Sequence, residues 1–246
     1  MQKTAKRFWE LDAARGFAVV LMVIFNYAFA LRYFGILAIT SSNLFWFWLP
    51  RFIGALFIFI AGVSLTISYN RKKIKKDVFS QYAKRGLMIF LLGIAITLVT
   101  WIFVPQEAVL FGILHLIGSS IIIAPFFFRF KRANLLLGAL IILAGIYLQS
   151  FSVDTNMLLW LGLKPYGFAT LDYFPLMPWF GFFLLGMFFG DVFYKRGKKM
   201  FKLHDFSDNV LVSFLTFLGR NSLKIYLLHI PALILFLIAL GFHISF

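Results

Sequence analysis

The chain has 246 residues, of which 62% are hydrophobic, 20% aromatic and only 13% charged, with a formal net charge of +15 and a mean hydropathy of +0.91. Soluble domains average about 45–50% apolar and about 25% charged residues, so an ordinary soluble globule is excluded. No cysteine is present, which excludes disulfides, thiolate nucleophiles and cysteine-held metals.

From the amino end, hydrophobic runs long enough to span a bilayer, at roughly 20 residues each, lie near 11–31, 45–69, 85–103, 108–128, 134–149, 174–194 and 221–242; the fifth is the shortest. They are continuously apolar and do not alternate, which predicts helices and not a barrel. The expectation is an all-α, polytopic membrane helix bundle of about seven transmembrane helices, forming a single domain over residues 1–246. Glu10 and Asp12 flank the first run, so it reads as a span and not as a signal peptide. No internal repeat is visible, which gives an inverted-repeat transporter no support.

Charge then sets the orientation. Of the 24 Lys and Arg residues, 21 fall in the amino-terminal flank and in the connections after the second, fourth and sixth runs. Only Arg32, Arg51 and Lys164 fall on the opposite side. The positive-inside rule places the amino terminus inside and the carboxyl terminus outside. The basic excess therefore reports topology in a multi-pass plasma (inner) membrane protein and not a nucleic-acid partner. Of the outer connections, the one over 150–173 is the longest and holds Asp154, Lys164 and Asp172; loops beyond about 12–15 residues are often functional. On the inner side, 208–218 reads as a short amphipathic surface helix.

Polar groups inside apolar spans are the functional candidates, because burial in hydrocarbon is costly. Asp12 and Arg15 are three residues apart and can pair at the mouth of the first helix. Asn26 follows Arg15 by eleven residues, about three turns, and is expected about 21 Å from the inner start of its span. His115, between Gly112 and Gly118, is expected about 12 Å below the outer surface, at a depth similar to that of Asn26. Arg51 opens the second span from outside, and His229, two residues before Pro231, falls nearer mid-membrane. Packing roles compete with function at each: a snorkelling Arg15, an interhelical hydrogen bond from Asn26, a satisfied core histidine at 115. An imidazole of ordinary pKa about 6.5 nonetheless suits a general base. No zinc-protease, Walker, serine-elbow or dinucleotide motif occurs, and the acidic residues are too scattered for a metal cage, so no metal is expected.

Five blocks in order carry a family resemblance: Arg7 to Gly16, Leu56 to Leu65, Phe111 to Gly118, Leu171 to Gly181, and Leu218 to His229. Together they resemble the catalytic-domain family of heparan-alpha-glucosaminide N-acetyltransferase, within a wider group of transmembrane acyltransferases. The resemblance implies transfer of an acetyl group from cytoplasmic acetyl-CoA, as co-substrate, to an amine or hydroxyl of a sugar, glycan or glycolipid on the outer side. Relatives that O-acetylate polysaccharides place a histidine where Asn26 stands, and lysosomal members carry one in the first outer loop, where 33–44 here has none. The base is therefore expected at His115, with Asn26 on the thioester oxygen and His229 as the next candidate. Arg15, Arg71, Lys72 and Arg85 are the expected seats of the CoA phosphates, and Arg51 and Asp172 of the acceptor. A transporter or a catalytically silent scaffold would use the same polar residues differently. Oligomeric state is open, a homodimer being one option.

Overall fold

The computed structural model describes residues 7–37, 44–71, 77–195 and 198–242. Among these there are eight α-helices and no β-strand: α1 (Trp9–Tyr33), α2 (Leu49–Arg71), α3 (Val78–Phe103), α4 (Ile113–Ile123), α5 (Ala133–Leu148), α6 (Leu176–Phe193), α7 (Val210–Arg220) and α8 (Ser222–Ala239). The expected all-α class is therefore observed. Helices α1, α2, α3, α6 and α8 are long and apolar enough to cross a membrane, whereas α4, α5 and α7 are shorter.

The helix ends follow the local chemistry. Glu10 and Asp12 occupy the first turn of α1 and Arg32 the last, each sign matching its end of the helix dipole. Gly35, at φ +67°, then lets the Ile36 N–H reach back to the Leu31 carbonyl at 2.9 Å, a Schellman closure that needs the left-handed conformation. Gly241 closes α8 in the same way, with the Phe242 N–H on the Leu237 carbonyl. The side chain of Asn209 caps α7 by accepting from the Leu211 and Val212 N–H groups at 2.9 and 3.3 Å.

The chain divides into two compact units, one made of residues up to Phe57 together with those from Leu203, the other Ile58–Lys202. The division falls within α2. In the first unit α1 packs along α7 and touches α8. The seam is built on glycine: a Cβ at Gly16 would run into the backbone of Leu215, and one at Gly219 into the carbonyl of Asp12. Small residues are what allow helix backbones to approach this closely in an apolar medium. The outward side of α7 stays apolar, with Val210, Leu211, Phe214 and Phe217 exposed. This is the amphipathic helix expected just before the last span.

In the second unit α3 pairs with α4 and α5 with α6. Only Tyr82, Gly86 and Gly93 of α3 are buried, and only Asn134, Gly138 and Gly145 of α5, so both turn their large apolar side chains outward. Helix α4 is the reverse: seven of its eleven residues are buried, His115 and Ser120 among them. Its shortness differs from the expected span over 108–128, and the reason is local. The residues before it are pinned as extended chain, and Pro125 turns the chain into a 3-10 segment directly after it. The long connection over 149–175 supplies the pins. Its Leu171 and Phe174 N–H groups bond to the Glu107 and Phe111 carbonyls at 2.9 Å, and the Thr170 hydroxyl donates to the Ala108 carbonyl at 2.8 Å.

Candidate active site

In the first unit the side chains of Asn26 and His229 meet, with Nδ2 of the asparagine 2.9 Å from Nε2 of the histidine. The tautomer follows from the other ring nitrogen. Nδ1 of His229 lies 2.7 Å from the Tyr226 carbonyl and 3.2 Å from that of Ile225. Carbonyl oxygens only accept, so Nδ1 carries the proton, and Nε2 of the neutral ring presents a lone pair to the Asn26 amide. A backbone acceptor on the far nitrogen is how proteins fix which nitrogen can act. Tyr27 adds a third contact, its hydroxyl donating to the His229 carbonyl at 3.2 Å, next to the break that Pro231 makes in the α8 ladder. His229 is buried, and one to two turns further along the helices Ala30, Leu233 and Leu237 form an apolar cluster. The pair therefore works in a medium of low dielectric, where each polar contact counts for more than in water.

His229 thus lies level with Asn26, although counting from the helix ends sets it deeper toward the inner side. The difference comes from the first turns of α1. Gly16 packs against Leu215 of α7, and Asp12 against Gly219, so those turns run beside α7. At this seam Arg15 donates to Asp12 at 3.2 Å and to the Gly219 carbonyl at 3.5 Å, while Arg220 approaches the other Asp12 oxygen at 3.5 Å. Two guanidiniums share one buried carboxylate. The Arg220 side chain is 50% exposed against 24% for Arg15, so it is the more open of the two toward an anion.

In the second unit His115 occupies the start of α4. Its Nδ1 accepts from the Gly112 N–H at 3.2 Å, and its Nε2 lies 3.4 Å from the Thr97 hydroxyl. That hydroxyl donates to the Val109 carbonyl, which leaves its lone pair to receive the Nε2 proton. Both nitrogens are engaged, and the ring is held between Phe111, stacked at 5.5 Å, and Phe90, edge-on at 5.1 Å. Asp172 is at the same place: its Oδ2 accepts from the Ile113 N–H at 2.9 Å. His115 and Asp172 are thus brought together, both on donors that an α-helix leaves without internal partners, and the carboxylate faces the positive end of the helix dipole. Next to Asp172, Tyr173 donates its hydroxyl to the Leu159 carbonyl at 2.8 Å, and burial pushes its phenol well above the ordinary range.

The remaining expected residues are dispersed. Arg51 is exposed; its guanidinium lies 3.5 Å over the Phe47 ring and donates to the Phe47 carbonyl at 2.7 Å. Arg71 ends α2 and Arg85 lies exposed on α3. Lys72 lies outside the described residues. Among the described residues no three His, Cys, Asp or Glu side chains gather as a metal cage would require. Three participants escaped sequence reasoning: Tyr27, Thr97 and Arg220. Tyr27 adjoins the selected Asn26 and Arg220 lies inside the block Leu218 to His229, and those placements were the available signals. Thr97 had none.

Five helices long and apolar enough to cross a membrane define a multi-pass integral membrane protein, and the first and last of them hold the histidine–amide pair. Comparison with family models narrows the class. The model "Heparan-alpha-glucosaminide N-acetyltransferase, catalytic" matches residues 7–231 of the 246, and the chain belongs to that family of membrane acetyltransferases. Comparison with characterised proteins and with solved structures returned no match.

Proposed function

We propose that the chain acts as one transferase domain that moves an acetyl group from cytoplasmic acetyl-CoA to an amine or hydroxyl of a sugar, glycan or glycolipid at the outer side. The observation that carries this is the Asn26–His229 pair, with its tautomer set by the Tyr226 and Ile225 carbonyls. His229 is the base in this reading and His115 a positioning residue, because the nitrogens of His115 are spent on Gly112 and Thr97. As the acceptor oxygen or nitrogen attacks the thioester carbonyl, its proton passes to Nε2 of His229. The Asn26 amide, released from Nε2, donates to the oxyanion that forms. Collapse of the intermediate breaks the carbon–sulfur bond, and the imidazolium returns the proton to the departing CoA thiolate. Arg15, Arg71, Lys72 and Arg85 supply charge for the CoA phosphates, with Arg220 added to Arg15 at the Asp12 seam, because guanidinium and ammonium groups are the usual phosphate partners. Arg51 is the acceptor-binding residue, while Asp172 acts by holding the start of α4.

The reading keeps seven spans with the amino terminus inside and the carboxyl terminus outside, an orientation that the basic asymmetry supports. Two assays in proteoliposomes test the proposal. With donor sealed on the inner side and acceptor outside, acetyl transfer is expected, and it should vanish when the donor is confined outside. A Ser152→Cys variant, in a chain without native cysteine, should label from outside only. Transfer with donor outside, or labelling of position 152 from the inside alone, defeats the proposal.

A further inference from the structure

In the second unit, where α2 ends, α3 begins and the chain leaves α4, the surface holds a groove of about 550 Å³ lined by Tyr69, Val78, Phe79, Pro125, Phe126 and Phe128. That volume falls within the usual range for small-molecule sites. Its floor is rigid: Tyr69 lies face to face on Phe128 at 3.8 Å and 6°, and buried Tyr82 abuts the same ring at 5.5 Å. Its walls are open: Phe79 and Phe126 are 50% and 60% exposed, with centroids 5.6 Å apart. Two of the contributing segments carry an arginine close in sequence to a groove residue. Arg71 follows Tyr69 by two residues and Arg129 follows Phe128 directly.

We propose that this groove receives the adenine end of CoA, with the base against Phe79 and Phe126 and the nucleotide phosphates on Arg71 and Arg129. The inference rests on the transferase reading above and extends it to the nucleotide. Four of the six lining side chains are aromatic, and exposed rings are what a planar base gains from. The flanking charge is basic and so complements a nucleotide carrying phosphates. A lipid chain would be served equally by aliphatic walls, so the ring content favours the nucleotide over an anionic lipid.

The test uses the full chain in lipid nanodiscs. The probes are CoA and adenosine 3′,5′-bisphosphate for binding, and acetyl-CoA and acetyl-pantetheine as alternative donors. The double variant Phe79→Leu/Phe126→Leu keeps the apolar wall but removes its rings. It should weaken CoA and adenosine 3′,5′-bisphosphate about 5–150-fold, the range lost with one stacked base. The KM for acetyl-CoA should rise by the same factor, and the KM for acetyl-pantetheine, which lacks the nucleotide, should not move. Unchanged CoA affinity in the double variant overturns the inference. So does failure of the native chain to bind the bisphosphate at millimolar concentration, or stabilisation by phosphatidylglycerol that the variant loses while CoA affinity stays. In each of those cases continued acetyl-pantetheine turnover leaves the transferase reading standing, whereas absence of turnover with either donor removes that reading by itself.

Discussion

His229 and His115 are both buried imidazoles in apolar helices flanked by aromatic rings, and their neighbours divide them. Near His229 one nitrogen is fixed by two backbone carbonyls and the other meets the side-chain amide of Asn26. Near His115 one nitrogen caps a backbone N–H and the other meets a threonine whose own proton is already committed. A substrate can displace the Asn26 amide by turning one side chain. Displacing the partners of His115 would uncap α4. Burial alone therefore does not select a base; what decides is whether one ring nitrogen faces a partner that can leave.

The sharpest way to break that contrast is a pair of like substitutions. His229→Gln keeps hydrogen bonding but cannot accept a proton near neutral pH, and acetyl transfer should fall about 10²–10⁴-fold. His115→Gln should keep most of its turnover, because an amide oxygen can still accept from the Gly112 N–H. Initial rates in proteoliposomes between pH 5 and 9 read both. Near-normal turnover in His229→Gln with an unchanged pH profile, together with collapse in His115→Gln, reverses the assignment.

Asn26→Ala comes next in size. Removing a preorganised oxyanion donor lowers rate about 10²–10³-fold, and CoA affinity should hold, because the phosphate-binding cations lie elsewhere. The informative control is Tyr27→Phe, which removes only the 3.2 Å bond to the His229 carbonyl and should cost far less. Equal losses in the two variants would make the pair a packing device.

Much of this was legible in the sequence, and what was missed has physical causes. Continuous apolar runs announced the helical membrane bundle, because hydropathy is summed over many residues and survives local error. Asn26, His229 and His115 stood out, because polar groups in hydrocarbon are rare. Their pairing was not legible. It depends on where α1 enters the apolar region, and the backbone contacts of Gly16 and Gly219 with α7 set that entry. The role of Asp172 was equally hidden, since its partner, the Ile113 N–H, is a backbone group fifty-nine residues away in the chain. The span expected over 108–128 shortened to α4 for the same reason: loop residues far along the chain hold its start.

His115→Leu tests the capping side of the contrast through stability and not rate. It leaves the Gly112 N–H and the Thr97 hydroxyl without their ring partner, and an unsatisfied buried polar group costs about 1–3 kcal/mol. The melting temperature should drop by about 2–12 °C, while the fraction that remains folded turns over at close to the native rate. A variant that melts like the native chain yet has lost transfer would place His115 in the chemistry.

The smallest expected effect concerns Tyr173, which ties the 149–175 loop to the start of α4 through the Phe111 bridge and its own bond to Leu159. Burial holds its phenol well above the ordinary value of about 10. Between the unfolded and the folded pKa the folded state keeps a proton that the unfolded state has lost, so stability falls as pH rises. The contribution is fully present below about pH 10 and is lost progressively above it. Tyr173→Phe removes the hydrogen bond, at about 0.5–1.5 kcal/mol near neutral pH, and removes the titration with it. Melting curves from pH 8 to 11.5 should therefore start apart, with the native chain higher, and converge in alkali, while lysine titration affects both chains alike. Parallel curves across that range would mean that the Tyr173 hydroxyl does not help hold the loop that pins α4, and the start of α4 would then rest on Asp172, Thr170 and the Leu171 and Phe174 N–H groups.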